Sequence, residues 1–429
     1  MKILKYIFLI ISFFGSIQIS FPQSADINFY IKKAKENNLL LHQIRNKTQI
    51  SDIDYTLQKI AFSKPEININ GGILIAPIIS NDNNIKKFQS VSEGATNYAG
   101  YDLGITNGGQ YQAVVSVNQP LFNKQRIGIA EIENNIQKQA DENDILITET
   151  ELEKLVKYQY LMCLSAQKQV EFAHKMIKEN EKQLIIMRKL VDNGIYKQSD
   201  FILTEIEFQN YKDIYENYLS EFYNNIAEMN TICGISDTSK VKLNDVDFKL
   251  KNENFNPLFL KKFEIDSFKI ISKQNIFDLK YKPQLSIFAD AGLNAVYLPA
   301  FNRFGFSAGL QFSWNIYDGK QKNIYLQKSK VSLENIDFEK NYILNQKNIQ
   351  KNKIFNQISS IDKRIALKDS RIQKFEKLIE IYKIELSNGQ ISVIDYINST
   401  RNYSSVLQEN IILKMQKQAL INEYNYLNY

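Results

Sequence analysis

The chain has 429 residues, 44% apolar and 23% charged, with a net charge of +6, the balance of a folded protein with room for two or three domains or one elongated architecture. Lys and Arg are dispersed among acids, which reads as solvated helix faces and makes no case for nucleic acid as a partner. Seven Pro and sixteen Gly are few and favour long uninterrupted elements.

Lys2 and Lys5 precede an apolar run, "YIFLIISFFGSI", too short to span a bilayer, which takes about 20 residues. A positive start, a short apolar core and a small, polar exit describe a secretory signal peptide. We assign it to residues 1–24, with cleavage between Ser16 and Ala25. Without Lys2 and Lys5 the net charge falls from +6 to +4. No Cys lies in that window to carry a lipid anchor, and no later segment is apolar for 18 residues. Export to an oxidising compartment follows.

After a first helix, the mature chain reads as a hairpin. "PEININGGILIAP" (65–77) and "GQYQAVVSVNQP" (109–120) alternate apolar and polar residues, the period of a strand with two different faces. The long loop between them, about 78–108, is rich in Asn, Gly and Ser. A helix is expected from about 124 to 192, ending at Asn193-Gly194, and a second returns over about 197–232. Residues 234–257 form a linker placed near mid-height beside the helices.

The sequence then repeats this order. A helix leads to a second hairpin at about 283–316, whose second strand, "FGFSAGLQFSWNI", sets Phe304, Phe306, Leu310, Phe312 and Trp314 against Gly305, Ser307, Gly309, Gln311 and Ser313. In the partner strand Phe288 alone breaks the alternation. A helix follows from about 320 to 387, ends at Asn388-Gly389, and returns over about 392–427. Phe122 aligns with Tyr317, and Gly194 with Gly389, each at an offset of 195. Two landmarks at one offset mark an internal duplication: a first repeat over 25–233 and a second over 258–429.

Ile354, Ile358, Ile361, Ile365, Ile372, Phe375, Ile379, Tyr382 and Leu386 step by 4 and 3, interrupted at Lys368. This heptad spacing predicts supercoiling against a neighbour. A long helix of this kind reaches roughly 100 Å. The tips, 193–200 and 388–395, carry turn and capping residues: Asp200 on one side, and Ser392 with Asp395 as a capping box on the other. Cys163 and Cys233 lie at different heights of an antiparallel hairpin and are expected as free thiols. His42 and His174 are far apart and make no metal site. No nucleophile, phosphate loop or paired-carboxylate motif stands out, so neither an enzyme nor a cofactor is expected.

A strand face of Gly, Ser, Asn and Gln suits a water-filled lumen, and a facing band of aliphatic and aromatic residues suits lipid. Trp314 would then sit at the periplasmic interface. Four strands cannot close a barrel, and lipid tolerates no open edge, so several subunits must contribute.

The chain resembles the TolC family of outer-membrane efflux proteins. The residues that carry this are the repeated layout, Lys64-Pro65 and Lys282-Pro283 at the strand starts, "FSWNIYDGKQ", and Gly194 with Asp200 beside Gly389 with Ser392 and Asp395. The resemblance implies a mainly α protein with β. It implies a homotrimer whose twelve-stranded outer-membrane barrel continues as a helical barrel in the periplasm. It also implies an exit duct that docks through Asn193, Gly194, Asp200, Asn388, Gly389 and Ser392 onto a periplasmic adaptor, fed by an inner-membrane transporter. Asp395 matches an acidic position at the periplasmic mouth, whereas Asn398 stands where a second acid often occurs. Lys197 departs from the small residue usual at that tip. An exported coiled-coil scaffold or adhesin is the competing reading; it would stay soluble without detergent.

Overall fold

The computed structural model describes residues 26–89, 94–100, 109–236, 241–251, 258–295 and 301–428; the expected signal peptide lies outside them. The expected mixture of long helices and a few strands is found. In chain order the elements are α1 (Ile27–Asn37), α2 (Leu39–Ser63), β1 (Glu66–Ile75), β2 (Ile78–Ser80), β3 (Lys87–Gln89), β4 (Tyr98–Ala99), β5 (Gly109–Leu121), α3 (Lys124–Asp192) and α4 (Gln198–Cys233). They continue as α5 (Leu258–Asp278), β6 (Gln284–Ala295), β7 (Phe304–Ser313), α6 (Gln321–Ser387) and α7 (Val393–Leu427). No helix among the described residues is long and apolar enough to cross a membrane.

The chain divides into two compact units. The first contains residues up to Ile44, Asp144–Leu260 and Asn341–Tyr429. Its main core joins Tyr30, Ala34 and Leu41 to Val156, Tyr160, Cys163 and Leu164 of α3, Met229 and Cys233 of α4, and Leu243 of the linker. The linker backbone is held by side-chain amides. Gln167 accepts from Leu243 N (2.8 Å) and donates to Leu243 O (3.3 Å). Asn425 accepts from Lys251 N (2.8 Å) and donates to Lys249 O (2.9 Å), and Gln418 accepts from Phe248 N (2.6 Å). Such pairs give these linker backbone groups the partners that a neighbouring strand would supply.

The heptad residues Ile354, Ile358, Ile361, Ile372, Ile379 and Leu386 are buried. Lys368, the interruption, is ion-paired with Glu409 of α7. Cys163 and Cys233 are free and buried.

The second unit, Arg45–Asn143 and Lys261–Lys340, holds a four-stranded antiparallel sheet in the order β1-β5-β6-β7. The two hairpins are therefore joined along β5 and β6, from Tyr111↔Ala295 to Leu121↔Leu285, without a bulge. Residues 78–89 and 94–99 depart from the expected loop: β2, β3 and β4 make a small sheet of their own. Asp82 organises it, accepting from Thr96 Oγ1 (2.9 Å) and Asn97 N (2.9 Å). Strand β7 ends at Ser313 rather than at Ile316, because the chain there turns toward α6.

Candidate functional site

The register sorts the side chains of the four strands. Directly paired residues in an antiparallel sheet share a face. One face gathers Ile67, Ile69, Ile73 and Ile75 of β1 with Tyr111, Ala113, Val115, Val117 and Leu121 of β5. It continues through Leu285, Ile287, Ala289, Ala291 and Leu293 of β6 to Phe304, Phe306, Ala308, Leu310 and Phe312 of β7. It bears no charge, and its one polar chain is Gln119. Ile69 is 82% and Phe306 88% exposed. An apolar surface of this extent on one chain marks an interaction surface.

The opposite face carries Glu66, Asn68, Asn70, Gln112, Ser116, Asn118, Ser286, Asp290, Asn294, Ser307 and Gln311. Asn70 Nδ2 donates to Ser116 Oγ (3.1 Å) and Ser307 Oγ to Asp290 (3.3 Å). Leu74 and Val114 also lie on this face, and so does Phe288. It pairs with Gly309, and its ring lies so close that a Cβ on Gly309 would stand 2.7 Å from Cζ. The break in alternation is thus answered across the strand: a glycine on the edge strand is covered by an aromatic ring.

Aromatic side chains cluster in sequence where strands meet helices. Trp314 is 54% exposed and donates from Nε1 to Tyr281 O (3.2 Å). Phe122 and Tyr317 are exposed, and Phe122 has φ 56°, a conformation costly for a bulky side chain. Asp318 accepts from Tyr281 Oη and caps α6 at Gln321 N (3.1 Å). Sequence reasoning overlooked Tyr281; its only cue was an aromatic residue beside Lys282-Pro283.

At the helical tips, α3 and α6 end in the same hydrogen-bonded turn. Gly194 N donates to Val191 O (2.9 Å) and Ile195 N to Leu190 O (2.9 Å). Gly389 N donates to Leu386 O (3.1 Å) and Gln390 N to Glu385 O (2.8 Å). The glycines have φ 72° and 70°, the left-handed conformation this motif requires. Asn193 and Asn388 sit exposed just before them.

The capping box expected at Ser392 is half formed. Ser392 Oγ accepts from Ile394 N (3.2 Å), while the Asp395 side chain is exposed and turns outward with Asn398, one helical turn on. At the other tip Asp200 supplies the complementary half, accepting from Lys197 N (3.0 Å), since a lysine side chain has no acceptor to complete the box.

The tips touch each other. Tyr196 Oη donates to Ile391 O (2.7 Å), and a Cβ on Gly389 would stand 2.8 Å from Ile195 Cγ2. Met187, Phe201, Leu386, Val393, Tyr396 and Ile397 form their shared core.

Two further features escaped the sequence. Glu207 of α4 is 3% exposed and receives Arg401 of α7 at 2.9 Å from Nε and 2.5 Å from a terminal guanidinium nitrogen. A cavity of about 360 Å³ lies nearby, lined by Glu179, Glu376, Glu380, Lys383, Tyr396 and Tyr403 among others. Burial opposes ionisation of Glu179, but Lys182 and Lys383 outweigh it and hold the carboxyl below its usual range. Burial pushes the Tyr396 hydroxyl up to about 12. No group of three or more His, Cys, Asp or Glu side chains that could hold a metal occurs among the described residues.

No protein-family profile matches the sequence, and no curated protein matches it significantly. Solved structures do. The outer-membrane channel OprN superimposes with a TM-score of 0.68 at 12% identity, covering 94% of this chain and 89% of its own. CusC, studied for transmembrane channel formation, gives 0.67 at 12% identity, covering 94% and 91%. The outer membrane protein VceC of Vibrio cholerae gives 0.66 at 10% identity, covering 94% and 96%. Over nearly its whole length, the chain has the fold of these outer-membrane channel proteins, the fold that its resemblance to the TolC family implies.

Proposed function

We propose that the protein is an outer-membrane duct. Three copies close a twelve-stranded barrel, and the helical hairpins continue the conduit into the periplasm. The observation that carries this is the sorting of the sheet: one face has no charged residue on any of four strands, and the other is mostly polar and holds both charged ones. Among the described residues, strands β1 and β7 have no partner on their outer edges. Backbone groups cannot stay unpaired in lipid, and four strands are too few to close. Pairing β7 of one copy with β1 of the next answers both requirements.

The duct is passive and is driven by its partners. The tips, with Gly194, Gly389 and the residues around them, receive a periplasmic adaptor that connects to an inner-membrane transporter. Asp395 lines the periplasmic mouth in triplicate and favours cations there; Asn398 adds no charge. Trp314, Phe122 and Tyr317 form the interfacial aromatic belt on the helix side of the sheet.

Membrane fractionation followed by mass determination in detergent tests this reading. The expected result is a heat-labile trimer in the outer-membrane fraction. A soluble periplasmic monomer would overturn it and favour the exported coiled-coil scaffold.

A further inference from the structure

The four strands contain no Lys or Arg. Their only charged side chains are Glu66 and Asp290, and both lie on the polar face. The register places them in neighbouring rows. Glu66 pairs with Asn118, which pairs with Phe288; one row further from the helices, Ser116 pairs with Asp290, which pairs with Ser307. The next row runs from Asn70 and Val114 to Gly292 and Gly305, so on β6 and β7 no side chain fills the space beside Asp290. A cavity of about 280 Å³ opens there, lined by Asp290, Ser307, Asn294 and Arg303 among others. Arg303 is the first basic residue met in this direction. Asn294 N donates to its carbonyl (3.1 Å), which continues the pairing of β6 and β7 by one row toward the loops.

We infer that the barrel lumen is charged in layers: Glu66 and Asp290 make an anionic belt that enriches cations, and Arg303 makes a separate cationic ring nearer the loops. The inference rests on the trimeric duct proposed above. With strands about 4.8 Å apart and tilted by about 40°, twelve of them put the wall roughly 12 Å from the axis. Carboxylates reaching inward then lie about 9 Å from it. The two acidic rows are two residues apart, within one Debye length of about 8 Å at physiological salt, so their fields add. Arg303 lies four residues from Asp290 along the strands, about 10 Å along a tilted axis and beyond that length, so its ring cancels little of the belt. Screened Coulomb sums for these rings give roughly a five- to tenfold excess of monovalent cations over anions on the axis.

A reporter on the same face tests this. Ser286→Cys is introduced into the full-length protein, whose own thiols are buried, and trimers are reconstituted in vesicles. Its rates with a cationic and an anionic methanethiosulfonate are compared, each relative to a small free thiol. The expected cationic preference is about fivefold or more, falling to within about twofold in E66Q/D290N. Salt alone serves as a second measurement on the unneutralised protein: near 1 M the Debye length shrinks to about 3 Å and the preference collapses. A preference unchanged by both neutralisation and salt would overturn the belt. Conductance in planar bilayers separates the two ideas: if no channel forms, the duct reading itself fails; if channels form and the preference does not respond, only the layered lumen fails.

Discussion

Removing Arg401 probes a joint between the two return helices that no motif announces. Its guanidinium is about half exposed, but the Glu207 side chain it meets is only 4% exposed. Both Arg401 nitrogens converge on Glu207 Oε2, and Asn210 Nδ2 reaches the same oxygen at 3.4 Å. In Arg401→Ala the carboxylate stays buried without its cation. Breaking a fully buried pair costs about 3–5 kcal/mol. The exposure of Arg401 admits screening, so the cost falls to the bottom of that range or just below it, about 2–3 kcal/mol.

Hydrogen exchange reads this as local opening. Protection of amides around 204–210 and 398–404 should fall roughly 30- to 150-fold, with little change elsewhere. Glu207→Gln combined with Arg401→Ala removes the orphaned charge and should restore most of the loss. If Arg401→Ala changed exchange by less than about threefold, or if the double variant were no better, the buried pair would not be what joins the helices.

Three other outcomes follow from the same geometry. Gly194→Ala meets open space and costs only the left-handed backbone, about 1 kcal/mol, whereas Gly389→Ala must also displace Ile195 and should lower the melting temperature more. Burial pushes the Cys163 and Cys233 thiols up to about 12, so neither should react with iodoacetamide at neutral pH until the protein unfolds. Burial pushes the Lys347 ammonium down to about 8, with Lys351 adding to the shift. Between pH 8 and 10 the unfolded chain holds the extra proton, so stability should rise with pH over that window, and Lys347→Met should flatten the rise.

The long helices and strand starts were legible because each pattern runs unbroken between strong punctuation, Asn193-Gly194 and Asn388-Gly389 at the tips and Pro65 and Pro283 at the strands. The pairing of β5 with β6 was not, because it joins strands remote in sequence, with no short turn to fix the register. Strands β2 to β4 have two or three residues each, too short for alternation to show. Phe288 looked like an error until Gly309 was placed opposite. Lys368 looked like one until Glu409 met it. Glu207 and Arg401 lie on separate helices as ordinary charged residues, and only folding brings them together. The half-formed box at Ser392 shows the limit of spacing as a guide: it puts Asp395 within reach but does not say which way its side chain turns.

The amide clamps on the linker have a consequence for how the helical unit responds to its surroundings. Gln167, Gln418 and Asn425 carry no proton to lose and no charge to screen. Their grip on residues 243–251 is therefore indifferent to acid and to ionic strength. The Arg401–Glu207 joint is an ion pair whose cation is half exposed, so salt weakens it. A rise in salt would loosen α4 and α7 where they meet at Glu207, and with them the Lys168–Asp245 pair, while the amides keep the linker backbone fastened to α3 and α7, so α7 is held by one attachment that senses the medium and one that ignores it.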